Sequence, residues 1–201
     1  MKRDLVYRLG APFYDLAMVG LMRGIRRESI ASLALKPGGR LLIPGIGTGL
    51  DLPFLPRDVE VLGGDLVPAM LARANMRRAR LGLANVRLAT MDAQALPVPD
   101  ASFDAALLHL IVAVAPDGHA VLSEVCRVLK PGGRISVVDK FMPDGQARIP
   151  YWRRAVQALV LPFTDINRRF GGLVEGLPLR TISDRGVMLG RTFRSIQLEK
   201  I

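Results

Sequence analysis

The sequence is short of the residues that cross-link or metallate small folds. It has a single cysteine, Cys126, and one thiol without His or Cys neighbours at ligand spacing makes neither an internal disulfide nor a zinc site. No metal is expected, and a reducing compartment fits. There are two histidines and one tryptophan, and aromatics make up only 5% of the chain, which leaves little to stack on exposed nucleobases. The longest run free of Asp, Glu, Lys and Arg in an apolar stretch, Ala105 to Pro116, falls short of the roughly 20 residues a membrane-spanning helix needs. The opening MKRDLVYRLG has an early acid and no apolar core or cleavage site, so it does not read as a signal peptide and export is not expected. Acids are scarce too. Eighteen Asp and Glu face 28 Lys and Arg, a formal charge of +10, which favours contact with nucleic acid, anionic lipid or a phosphorylated substrate without choosing among them.

Apolar residues are plentiful, half of the 201, enough for one domain with a full core. Helical spacing of Leu16, Val19, Met22, Ile25 and Leu33 predicts a helix within Phe13 to Leu35, weakened at Gly20 and Gly24 and ended by Lys36-Pro37-Gly38-Gly39. Short apolar runs at Arg40–Pro44, Val59–Asp65, Val86–Thr90, Phe103–His109 and Arg134–Asp139 read as strands. Helices are expected between them, at Val67–Leu83 and Asp117–Leu129, then one more at Tyr151–Phe163 before a closing strand, Arg191–Lys200. Strands alternating with helices imply right-handed crossovers. The expected class is α/β: a Rossmann-like, mostly parallel, doubly wound sheet with an antiparallel C-terminal strand and an N-terminal helical cap. One domain is read over 1–201, with the cap at 1–36, a cofactor-binding core at 37–140 and the C-terminal helix and strands, 141–201, on the substrate side.

Three groups fall at the carboxyl ends of successive strands, where an open α/β sheet binds ligands. The loop Gly45-Ile46-Gly47-Thr48-Gly49 follows the first strand and lets backbone approach a ligand without a Cβ in the way. Asp65 ends the second strand, where a carboxylate can accept from ribose hydroxyls; capping the next helix is its alternative use. Asp92 follows the third and is placed to take an exocyclic amine. The spacing is G-x-G-x-G with Leu50 next, so the third glycine arrives too early for a dinucleotide fingerprint, and no Walker lysine follows.

Together with Pro68-Ala-Met-Leu, Pro99-Asp-Ala-Ser-Phe-Asp104 and Arg127-Val-Leu-Lys-Pro-Gly-Gly133, these motifs resemble those of class I S-adenosylmethionine (SAM) dependent methyltransferases over roughly 37 to 140. The resemblance implies that the glycine loop meets the methionine part of SAM, that Asp65 with Leu66 holds the ribose, that Met91, Asp92 and Ala93 lie by the adenine, and that His109 borders the pocket. One departure stands out: members usually carry an acid two residues before the first glycine, and here that position is Ile43, followed by Pro44. A SAM-binding relative with reduced activity is the reading this departure raises. Leu9-Gly-Ala-Pro-Phe-Tyr-Asp15, Ile111-Val-Ala-Val-Ala-Pro-Asp117 and Val138-Asp-Lys-Phe141 look most like soluble bacterial phospholipid N-methyltransferases, which methylate phosphatidylethanolamine. Quinone-pathway C-methyltransferases come next, and Asp139-Lys140-Phe141 stands where the phospholipid enzymes tend to have Asn-His-Phe.

Methyl transfer from a sulfonium is an in-line displacement governed by alignment, although an amine acceptor must lose a proton. His109 is the candidate base and Tyr14 a candidate for placing the acceptor; packed core residues are the competing readings. Tyr151–Phe163 carries an apolar stripe with Trp152 at its start and Arg153 and Arg154 off the stripe, which suits either a lipid interface or the domain's own core. Lys2, Arg3, Arg8, Arg23, Arg26 and Arg27 add positive charge to the N-terminal side. The expected partners are a lipid or small-molecule acceptor and an anionic membrane surface. Nucleic acid is not expected, since neither an Asp/Asn-Pro-Pro-aromatic motif nor a Pro-Cys nucleophile is present. The expected location is the cytoplasm, peripheral at the inner membrane face.

Overall fold

The computed structural model describes residues 22–142, 165, 167–188 and 192–201. Tyr14, Trp152, Arg153, Arg154 and the whole Tyr151–Phe163 helix lie outside the described residues.

Seven strands form one sheet in the order β3-β2-β1-β4-β5-β7-β6: β1 Arg40–Pro44, β2 Glu60–Asp65, β3 Val86–Thr90, β4 Phe103–His109, β5 Leu129–Lys140, β6 Leu179–Met188 and β7 Phe193–Lys200. The first five pair in parallel, and β7 alone runs against its neighbours. The helices are α1 over 22–32, α2 Pro68–Arg80, α3 Gly118–Val128 and the single turn α4 Phe170–Val174.

Period-two alternation along the inner strands sorts their side chains into two cores. Leu41, Ile43, Ala105 and Leu107 face one way, against Ile30 and Leu33 at the end of α1 and Ala74 of α2. Leu42, Ala106, Leu108, Ile135 and Val137 face the other, against Val121, Leu122 and Val125 of α3 and Phe170 of α4. Asp117 caps α3, its carboxylate accepting from the backbone N–H of His119 and Ala120, and α2 opens on Pro68, whose missing N–H costs nothing there.

The expected architecture is the observed one, with local differences. No α-helix crosses from β1 to β2. Pro53 and Pro56 permit only the one-turn helix Leu52–Phe54, and Leu52 and Leu55 fill the core in its stead. The stretch from β3 to β4 is likewise turns. α2 stops at Arg80 because Gly82 turns left-handed, at φ +62°. β5 begins five residues before its apolar run. Its early part pairs only at Leu129 with Phe103, ahead of an irregularity. β6 carries no apolar alternation to announce it, since most of its residues lie half-exposed or exposed at the sheet edge.

Candidate cofactor site

The strand order reverses between β1 and β4, so their carboxyl ends diverge and leave a crevice. The glycine loop leaves β1 into this crevice. Gly45 and Ile46 both donate from their backbone N–H to the Gly64 carbonyl, at 2.7 and 2.8 Å, which fastens the loop to the end of β2. Asp65 completes the fastening: one carboxylate oxygen accepts from Gly47 N–H at 3.0 Å and the other from Val67 N–H at 2.8 Å. Burial pushes its pKa up, and the backbone donors Val67, Gly47 and Leu66 pull the other way without cancelling the shift.

The three glycines serve different ends. All have positive φ, +105°, +57° and +79° in turn, a region that strains other residues. A Cβ at Gly45 would lie 2.7 Å from Ile111 Cγ1, and one at Gly49 would lie 2.6 Å from Leu52 Cδ1; these two are needed for packing. A Cβ at Gly47 would meet nothing within 4 Å. The loop's open side is therefore at Gly47, next to the Asp65 carboxylate. Thr48 is buried, and its carbonyl accepts from the Arg77 guanidinium of α2 at 3.0 Å.

Met91 is nearly sealed against Gly64, and its N–H donates to the Asp65 carbonyl at 3.2 Å. Asp92 folds into a local turn, accepting from Gln94 N–H at 2.9 Å and from the Gln94 side chain at 3.2 Å; Ala93 is buried behind it. Leu66 is 62% exposed, an uncovered apolar side chain beside the acid. Ten sequence-predicted positions, 45–49, 65, 66 and 91–93, thus line one contiguous edge formed by the ends of β1, β2 and β3. Ile43 is 1% exposed within the core below this edge, so the missing acid leaves an apolar strand position there.

His109 closes β4 on the same side of the sheet, but inward. Its side chain is 1% exposed. Nδ1 lies 2.7 Å from Asp51 Oδ1 and 3.4 Å from Arg26 Nη1, and Nε2 lies 2.7 Å from Ser29 Oγ. Both ring nitrogens are engaged, so neither is turned toward an acceptor. Arg26 donates to Asp51 Oδ1 at 2.6 Å. Burial pushes the Asp51 carboxyl up, but His109 and Arg26 beside it outweigh burial and hold it well below the usual carboxylate range. Beyond His109, Leu110 takes φ +59° while its N–H donates to Val138 O at 2.9 Å. An L-residue in that region marks strain, of a kind that collects at functional sites.

Asp139, at the end of β5, is fully buried and accepts from Ala113 N–H and Lys140 N–H, both at 2.8 Å. Burial pushes its pKa up and that of adjoining Lys140 down. Arg168 holds the same post-β4 loop by donating to Val112 O at 2.7 Å and Pro116 O at 2.8 Å. Ser29, Asp51 and Arg168 are participants that the sequence did not announce, and Arg26, read there as one of the basic charges of the N-terminal side, is buried against Asp51 instead; their partners across the fold lie 25 to 107 residues away. Among the described residues no cluster of His, Cys, Asp and Glu could hold a metal ion, and no helix is long and apolar enough to cross a membrane.

Residues 42–137 match a family described as Methyltransferase domain. A phosphatidylethanolamine N-methyltransferase of Cereibacter sphaeroides is 38% identical over 132 residues, covering 65% of this chain and 64% of that protein, so the match spans under two thirds of the relative. A demethylmenaquinone methyltransferase of Thermus thermophilus is 36% identical over 174 residues, covering 83% of this chain and 75% of that one. Among solved structures, geranyl diphosphate C-methyltransferase from Streptomyces coelicolor, crystallised with S-adenosyl-L-homocysteine, superposes with a TM-score of 0.76 at 16% identity, over 89% of this chain and 76% of that one. At that identity the likeness is one of fold.

Proposed function

The chain belongs to the SAM-dependent methyltransferase family, and from that membership we propose that it transfers methyl groups to the amine of a phospholipid headgroup at a membrane surface. The observation that carries the cofactor half is the edge formed by the glycine loop, Asp65 and Asp92. The open side of Gly47 and the exposed Leu66 support room for a nucleoside, and in this reading the Asp65 carboxylate takes the ribose and Asp92 the adenine amine. These residues fit SAM, whose sulfonium, when bound, supplies an activated methyl group. The protein's own contribution is then orientation. Asp65 and the Gly64 carbonyl hold the loop at one height above the sheet. Asp139 and Arg168 brace the loop after β4, so the walls of the crevice are set before an acceptor enters.

The lipid half draws on the relative named phosphatidylethanolamine N-methyltransferase and on the +10 charge, which suits anionic headgroups. A quinone ring is the second reading, favoured by the longer match to the demethylmenaquinone methyltransferase. One reaction separates them: trideuteromethyl-labelled SAM is incubated with bilayers that hold both phosphatidylethanolamine and a demethylated menaquinone, and the extract is read by mass spectrometry. Label on the headgroup nitrogen is the expected result. Label confined to the quinone overturns the lipid reading.

A further inference from the structure

His109 sits in a chain of groups whose hydrogens have an arrangement that satisfies every member. On β7, Gln197 Nε2 donates to Ser136 Oγ of β5 at 2.7 Å. Ser136 Oγ is hydrogen-bonded to Ser29 Oγ of α1, Ser29 Oγ lies 2.7 Å from His109 Nε2, and His109 Nδ1 lies 2.7 Å from Asp51 Oδ1. A carboxylate can only accept, so Nδ1 carries a hydrogen. The amide N–H of Gln197 can only donate. With the ring neutral Nε2 is bare, so it accepts from the Ser29 hydroxyl, which accepts in turn from Ser136. Every donor in the series has an acceptor when the imidazole is neutral with its hydrogen on Nδ1.

Adding a proton at Nε2 breaks this order. Ser29 would have to turn its hydrogen back toward Ser136, whose own hydrogen would then lose its acceptor in the series. The charge balance points the same way. Among the described residues the charged groups facing His109 are Arg26 on α1 and Asp51 beyond the glycine loop, while β5 and β7 present only Ser136 and Gln197. One cation and one anion cancel, and a protonated ring would leave a net buried charge.

The relay joins four parts of the fold: α1, the exit of the glycine loop at Asp51, the end of β4, and the paired strands β5 and β7. Asp51 lies two residues beyond Gly49, and its carbonyl accepts from Phe54 N–H at 3.0 Å within the short helix that ends the loop. We infer that His109, through Asp51, is a positioning residue for the cofactor loop, with Arg26 as its second anchor on α1, and that neutral His109 is the form that holds the loop in its SAM-binding shape. This inference rests on the SAM site proposed above.

Two measurements test it. Nitrogen-15 spectra of the imidazole report the hydrogen's place without any cofactor, and at neutral pH the expected form is Nδ1–H with bare Nε2; an Nε2–H tautomer or an imidazolium overturns the relay. Calorimetric titration with SAM of the parent and of two His109 variants reports the coupling. Affinity is expected to fall about tenfold in His109→Leu, within the usual span of coupling between sites. His109→Asn keeps a donor near Asp51, so it should restore most of the affinity that His109→Leu loses. A folded His109→Leu that binds SAM like the parent contradicts the inference, as does a His109→Asn that binds no better than His109→Leu. Failure of the parent to bind SAM would instead remove the proposed function, and the tautomer would still decide the relay.

Discussion

At the residue scale, the buried polar groups set the tightest constraints. Asp139 is fully buried, and its two oxygens take backbone N–H groups, among them those of Ala113 and Lys140. An amide in its place has one oxygen and turns an N–H donor against one of these donors, leaving a buried N–H unmet. Asp139→Asn should therefore cost about 1–3 kcal/mol, read as a lower urea midpoint at neutral pH. An unchanged midpoint would mean that the post-β4 loop finds other partners. His109 carries the clearest lesson at this scale. Its place at the end of β4 was legible in the sequence, but its role was not, because Arg26, Ser29 and Asp51 are 83, 80 and 58 residues away. The same holds for Leu110: nothing in its chemistry signals the left-handed backbone at φ +59°.

At the scale of elements, the inner strands were legible because two-sided burial writes an unbroken apolar run into each. β6 escaped because an edge strand with much of its surface in solvent needs no such run. The β1–β2 crossover differs from the helix such a fold ordinarily carries because prolines at 53 and 56 fix the loop instead. One element bears on the proposed lipid acceptor. α2 contains four arginines and no acid, and Arg73, Arg77 and Arg80 with Met76 line a shallow hollow of about 150 Å³. A basic face next to an exposed apolar side chain suits an anionic bilayer surface. Changing Arg73 and Arg80 together to Glu should weaken binding to phosphatidylglycerol vesicles about tenfold at low salt and leave SAM binding intact, since only Arg77 reaches the glycine loop. Cosedimentation measures it. Equal binding by the parent and the double variant would show that α2 does not carry the proposed membrane contact.

At the scale of the whole molecule, the sheet order, the reversal between β1 and β4 and the row of residues 45–49, 65, 66 and 91–93 form one arrangement around a crevice. The parallel sheet with its antiparallel C-terminal strand was foreseeable, and so was the gathering of 45–49, 65, 66 and 91–93 at one edge, since each motif stood just after an apolar run. The acceptor is less legible, because the two residues the sequence offered for it, Tyr14 and Trp152, lie outside the described residues. The claim on which the rest depends is that the folded chain holds SAM on the loop 45–49. Ligand that binds only the folded state raises stability by about 2.7 kcal/mol at a hundredfold excess over its dissociation constant. For a chain of this size that is a rise in melting midpoint of roughly 5–10 °C. The direct measurement is thermal unfolding of the parent and of Asp65→Ala across a SAM titration. The account predicts a saturating rise for the parent and little or none for the variant at the same concentrations. A midpoint for the folded parent that does not move with SAM, or an equal rise in the variant, would contradict it.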